Sequence, residues 1–285
     1  MMANPTLRQR QLAARLREMR TEAGLSIAEV AEQLLCSPAK ISRIETSQRR
    51  ASLRDVRDLC GLYGVADPSE LMAFAREAQQ LSWWQDSEDV GFRPLIGLEA
   101  EAVEISEYET TTIPGLLQTE DYARAVIQGF LPRIAGDVLD ERVAVRMKRQ
   151  EILHKSSPPR YWVLLDQSAL HRHVGSQQIM AEQLTQLAEL SHLPDVTIQV
   201  VPYTVGAHMG FDSAFMLLAF DPNAGVADTV YLDTLAGQIF LEKPNQLIRF
   251  REVLNHLRAA ALRPDDSRKR ILEHRDLFAA QKGGK

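Results

Sequence analysis

The chain has 285 residues, 45% of them hydrophobic and 25% charged, with a formal net charge of −5. That is material for two ordinary globular domains, or one with appendages, and no apolar run approaches the roughly 20 residues of a bilayer-spanning helix. The only cysteines, Cys36 and Cys60, form no CxxC pair and have no histidine at ligand spacing, which argues against a zinc site and a disulfide framework.

Both cysteines fall on the apolar side of their segments and read as buried thiols in a reducing compartment. The opening MMANPTLRQRQLAARLREM has no apolar stretch behind its charges, so no signal peptide is expected and the cytoplasm is the expected location. The charge is uneven. Residues 1–66 hold eleven Arg and Lys against seven Asp and Glu, and the remainder 22 against 31. A local basic surplus is what counterion release from a polyanion rewards, whatever the sign of the whole chain.

From Thr6 to Glu22, Leu7, Leu12, Ala13, Leu16 and Met19 recur at helical spacing, and Ala23-Gly24 closes that helix. Ser26 with Glu29 three residues on predicts a capping box, and Ile27, Val30, Ala31 and Leu34 form the stripe of a second helix. Leu35-Cys36 is a short break. Ser37 as cap and Pro38 at the first helical position start a third helix, SPAKISRIE, with Ile41 and Ile44 facing inward.

Two short helices joined by so brief a turn have helix-turn-helix spacing. With both isoleucines inward, Pro38, Ala39, Lys40, Ser42 and Arg43 are left for the outer face, where a recognition helix touches base edges. Arg43 can donate two parallel hydrogen bonds to guanine, and Lys40 can reach guanine or a phosphate. Arg49 and Arg50 follow, placed to grip the backbone. The plain alternative is a short solvated helix on a small bundle.

The segment GLSIAEVAEQLLCSPAKISRIETSQRRASLRDVRDLCGLYGV resembles the XRE (Cro/repressor-like) helix-turn-helix family, over about residues 7–66. The resemblance implies an all-α, lambda-repressor-like bundle with Ser26–Leu34 supporting and Ser37–Glu45 recognising. It also implies a fourth helix over Leu53–Tyr63, a fifth over Asp67–Leu81, and a double-stranded operator bound by a homodimer. The DNA-contacting set expected is Ser26, Ser37, Pro38, Ala39, Lys40, Ser42, Arg43, Ser47, Arg49 and Arg50. Glu45 matches a structural family glutamate and is expected to pair with a first-helix arginine such as Arg17. The chain departs from the pattern at Leu35 and Ser47, where glycine is usual, and at Ile27, where a phosphate-holding glutamine is usual. A left-handed Leu35 would cost roughly 1 kcal/mol, so a differently closed turn is expected.

Beyond a Val65–Pro68 turn, Trp83 and Trp84 are adjacent and cannot share one helix face. Packing between domains or subunits is the plain reading, and a ligand-stacking platform the functional one. Residues 83–97 read as a linker between a domain at 1–82 and another at 98–275, with a flexible tail at 276–285. In the second domain, 102–112 is open between helix and strand. Thr119 caps a helix carrying Tyr122, Ala123, Val126 and Ile127, and a helix over Asp137–His154 carries a basic cluster that reads as a solvated face. YWVLLD, Val196–Val201, Ala214–Phe220, Val230–Asp233 and Gly237–Leu241 read as five strands. Helices are expected at Ser176–Ser191, Asn245–Arg263 and from 264 onward. The mixture predicts an α+β domain around a small, mostly antiparallel sheet.

The runs TIPGLLQTEDYARAV, ERVAVRMKRQEIL, VTIQVVPYTVGAHMGFDSAFMLL and VYLDTLAGQIFLE resemble a domain of uncharacterised function that follows such readers in actinobacterial regulators, over roughly 90–275. That resemblance implies an antitoxin-like regulator sensing a small molecule or a small partner protein, with no catalytic residues to carry over. His171 and His173 lack a third ligand at zinc spacing. His208 and Met209, in a Gly-flanked loop after a strand, are with Trp83 and Trp84 the candidate effector residues; the plain reading of His208 is a loop residue satisfied by backbone. No GxSxG, P-loop, GxGxxG or HExxH occurs. No enzyme activity, cofactor, metal or membrane partner is expected.

Overall fold

The computed structural model describes residues 7–79, 93–222 and 226–280. The chain divides into two compact units, one comprising 1–101 with 220–227, the other 102–219 with 228–285.

The first unit is helical: α1 Leu7–Glu22, α2 Ile27–Gln33, α3 Pro38–Glu45, α4 Leu53–Leu62, α5 Ser69–Gln79 and α6 Arg93–Glu101. Its core joins Leu12 and Leu16 of α1, Val30 and Ala31 of α2, Ile41 and Ile44 of α3, Val56, Leu59 and Cys60 of α4, and Ala75 and Ala78 of α5. Cys60 is buried and Cys36 half-buried, both as free thiols. Residues 93–97, read as linker, lie in α6. Trp83 and Trp84 fall outside the described residues.

Helix endings explain much of this unit. After α1 the N–H of Gly24 reaches Thr21 O and that of Leu25 reaches Arg20 O, at 3.0 and 3.1 Å. After α4 Gly64 and Val65 repeat the pair of bonds to Gly61 O and Cys60 O. These are Schellman caps around a left-handed glycine. After α2 the same motif forms with Leu35, whose N–H reaches Glu32 O while Cys36 N–H reaches Ala31 O. Leu35 therefore takes φ 49°. The differently closed turn expected from its lack of glycine does not occur: two hydrogen bonds at the cap outweigh a steric cost of roughly 1 kcal/mol.

The second unit is built on one six-stranded sheet: β1 Glu104–Glu109, β2 Arg160–Asp166, β3 Val196–Val201, β4 Phe215–Ala219, β5 Thr229–Thr234 and β6 Gly237–Leu241. The spatial order is β3-β2-β1-β4-β5-β6. β1 runs parallel to β2 and β2 to β3, whereas β1/β4, β4/β5 and β5/β6 are antiparallel. The sheet is thus larger and more mixed than the sequence suggested. Connections containing α7 Glu120–Phe130 and α8 Gly136–Arg149, and then the short α9 Ser168–His171 and α10 Gln177–Leu190, return the chain to the same end before β2 and β3, which is what parallel pairing requires. β1, the strand left open in the sequence, lies inside the sheet and carries Glu104, Glu107 and Glu109, which hide its period.

One sheet face, with Tyr108, Leu164, Val201, Phe215, Leu217 and Val230, packs on Leu247, Val253, Leu254 and Leu257 of α11 Pro244–Ala260. α12 Pro264–Ala280 packs along α10 and β3, so the expected tail is helical as far as Ala280. Residues 113–119 have little regular structure and are held by glutamines. Fully buried Gln183 accepts from Thr119 N–H at 2.7 Å and donates to Leu117 O at 2.8 Å. Gln150 donates to Gly115 O and Gln118 O, and Gln118 to Ile113 O. A buried irregular segment needs partners of this kind for its backbone. The basic cluster of α8 is correspondingly not a solvated face: Arg149 is buried, and Arg146 donates to Gln118 Oε1 at 2.9 Å.

Candidate nucleic-acid interface

Local sequence builds the α2–α3 pair residue by residue. Ser26 accepts from Glu29 N–H while the Glu29 carboxylate accepts from Ser26 N–H at 2.7 Å, completing the capping box of α2. The bond from Ser26 N–H, with a further one from the Ser26 hydroxyl, holds the Glu29 carboxyl below its ordinary range. Ser37 caps α3 through Lys40 N–H at 3.2 Å, with Pro38 in the first turn. Ile41 and Ile44, each 2% exposed, pin α3 to the core from behind, and Glu45 is buried with them.

Glu45 pairs with Arg20, and not with Arg17. Arg20 donates from Nε at 2.7 Å and from its terminal nitrogen at 3.0 Å, and also reaches Leu25 O at 2.7 Å. The helical period decides the partner: Arg20 stands one turn beyond Leu16 on the buried stripe, while Arg17 is exposed.

The outer face of α3 presents Pro38, Ala39 and Arg43, all exposed, with half-buried Ser42. Thr46, also exposed, ends the helix and donates to Ser42 O at 2.8 Å. It extends this face by one position and was not singled out in the sequence, although a spacing of i+3 from Arg43 places it there. Arg49 and Arg50 are exposed, and Arg49 N–H is fixed on Arg43 O at 2.9 Å. Among the described residues these three guanidinium groups face no carboxylate partner. Planar and permanently charged, they suit guanine edges and phosphates.

Two expected contact residues are placed differently. Lys40 lies on the flank of α3 and donates its ammonium to Asp55 Oδ1 of α4 at 2.5 Å. Burial pushes the Asp55 carboxyl up, but the bonds from Lys40 and Ser52 outweigh it and hold its pKa below the usual value. Ser47 adopts φ 57°, and its hydroxyl turns to Gln9 O of α1 at 3.3 Å, away from the outer face. Ser26 and Ser37 are exposed, with their oxygens occupied as caps.

The candidate effector residues of the second unit form no comparable arrangement. His208 accepts Gly210 N–H at Nδ1 and turns Nε2 toward Asp166 Oδ2 at the end of β2, 3.7 Å away. Its ring packs edge-on against Tyr108 and Phe211. Buried to 9% side-chain exposure, it anchors its loop, while Met209 beside it is 47% exposed. His171 meets His274 of α12 at 2.8 Å between their Nε2 atoms, and His173 packs on Phe278. Burial and the adjoining His274 and Arg270 lower the His171 pKa. Among the described residues no group of three or more His, Cys, Asp or Glu is arranged to hold a metal. No helix among them is long and apolar enough to cross a membrane.

Against known families, residues 92–273 match the model of a domain of unknown function, DUF5753. Residues 11–74 match the model of a helix-turn-helix domain. Among curated proteins and solved structures, none matches the chain.

Proposed function

For a chain that belongs to the DUF5753 family and carries a helix-turn-helix domain ahead of it, we propose the role of a sequence-specific transcriptional regulator of the XRE type. It acts in the cytoplasm as a homodimer on a two-fold related operator. One observation carries this reading. α3 is pinned from behind by Ile41, Ile44 and the Glu45–Arg20 pair, and turns Arg43 outward with Arg49 and Arg50 close behind it. A rigid helix with an uncommitted guanidinium on its outer face suits readout of a guanine in the major groove.

Residues 92–273 serve in this reading as the half that binds a small effector or a small partner protein. Such a ligand alters operator affinity by favouring one dimer geometry over another. An enzymatic role for that half is not proposed.

The test is selection of duplexes from a randomised pool by the full chain, followed by gel shift with Arg43→Ala. Expected are an enriched two-fold related site and a variant that keeps its fold while losing discrimination against single mismatches. Each lost bidentate contact is worth about 1–3 kcal/mol. A pool that stays random after selection, or an Arg43→Ala chain that discriminates like its parent, would refute the assignment.

A further inference from the structure

The recognition helix carries one cation that does not face outward. Lys40 is bound to Asp55, and Asp55 is itself fixed: it accepts Ser52 N–H at 3.0 Å and Ser52 Oγ–H at 2.7 Å while closing the capping box of α4. The side chains are 29% and 14% exposed. An ordinary surface pair is weak, because two long side chains must be ordered in high dielectric to make it. Here the carboxylate is ordered already and partly desolvated, so Lys40 alone loses freedom.

We infer that Asp55 acts as an internal substitute for a DNA phosphate, withholding Lys40 from the backbone and so restraining sequence-independent binding. This rests on the DNA-binding reading above. A phosphate can win Lys40 only by displacing a carboxylate held at hydrogen-bond distance, and would leave that carboxylate uncompensated beside the polyanion. Neither step returns a net counterion contact. Arg43, Arg49 and Arg50 face no such competitor among the described residues. Asp55 is on this account a specificity-determining residue: it removes one non-reading cation from the total and leaves the reading one.

Salt dependence tests this directly, because each phosphate neutralised adds about 0.9 to the steepness of log K against log salt on duplex DNA. The full chain is titrated onto a short random-sequence duplex at several salt concentrations. Asp55→Asn keeps an oxygen for Ser52 N–H and removes the charge that holds Lys40. Its slope is expected to steepen by about 0.9, with sequence-independent binding about 8-fold tighter near 0.1 M salt. Lys40→Gln leaves the α4 cap intact and is expected to keep the parental slope. In the double variant the gain of Asp55→Asn disappears.

An unchanged slope in Asp55→Asn overturns the inference, as does a shallower one in Lys40→Gln, which would mean that Lys40 already contacts phosphate. A gain that survives in the double variant also overturns it, since loss of the Asp55 charge would then act without Lys40. Thermal melts of each variant separate these outcomes from a damaged fold, and the conservative Lys40→Gln arm stands if Asp55→Asn melts early. A parent chain that binds no duplex at any salt would instead sink the DNA-binding reading, and this inference with it.

Discussion

Arg20 and Glu45 join α1 to the end of α3 through a two-point contact, with side-chain exposures of only 13% and 4%. The Arg20 guanidinium also satisfies Leu25 O, so one side chain fixes the exit of α1 and the C-terminal turn of α3 together.

Removing one partner is expected to cost far more than the pair contributes. Glu45→Ala leaves a guanidinium half-buried with no carboxylate, and a loss of about 3–5 kcal/mol is expected. Urea unfolding of the full chain, followed by a probe in the helical unit, measures it. A loss below about 1 kcal/mol would mean that Arg20 finds water or another acceptor.

Leu35 offers the opposite opportunity. It takes a left-handed conformation that two other helix ends in the same unit give to glycine, and its side chain is 94% exposed. Leu35→Gly relieves roughly 1 kcal/mol of steric cost while adding freedom to the unfolded chain. A net gain of no more than about 0.5 kcal/mol is expected by chemical denaturation.

Gly210 tolerates no side chain. A Cβ there would stand 2.8 Å from Tyr108 Cε1 and 2.9 Å from Leu257 Cδ1, both on buried residues, so that side chain or loop must shift. Gly210→Ala is expected to cost about 1–3 kcal/mol by overpacking. It also displaces the N–H that orients His208, so the His208 proton resonances shift in the variant. Wild-type stability would show that the loop simply lifts.

The carboxyls on the β1–β5 face give the second unit a pH dependence. Burial and the neighbouring Glu107 push the Glu109 carboxyl up, against opposing pulls from Thr110 N–H and Arg146. Burial likewise raises Asp233. A raised carboxyl pKa in the folded state favours the protonated form. Its contribution is therefore complete below the ordinary carboxylate pKa of about 4.3 and lost as pH rises through the folded value. Glu109→Gln mimics the protonated acid, so it should match the parent near about pH 4 and exceed it in stability by on the order of 1 kcal/mol at about pH 8. Parallel pH profiles for the two chains would show that Glu109 is charged and paired.

The features legible in the sequence lie within a few residues of one another along the chain. Ser26 with Glu29, Ser37 with Pro38, and Thr119 before its amphipathic stripe announced their helices because a cap is a local hydrogen bond. Ile41 and Ile44 announced the buried side of α3 because helical period is local too. The outward placement of Arg43 follows from the same rule.

Contacts between distant segments had no such signal. Lys40 and Asp55 are fifteen residues apart, and nothing in either helix alone says that one neutralises the other. That Arg20 meets Glu45 needed the packing of α1 on α3, although the helical period of α1 already puts Arg20, and not Arg17, beside its buried stripe. β1 went unread because Glu107 and Glu109 occupy positions where an interior strand would carry apolar residues; Glu107 is accepted there because the Tyr161 hydroxyl, fifty-four residues away, donates to it. Sequence by itself determined the helices of the first unit and the outward arginine of α3, since both depend on short-range geometry. Tertiary structure alone decided which charges remain uncovered and how the sheet is ordered, since both depend on which remote groups meet.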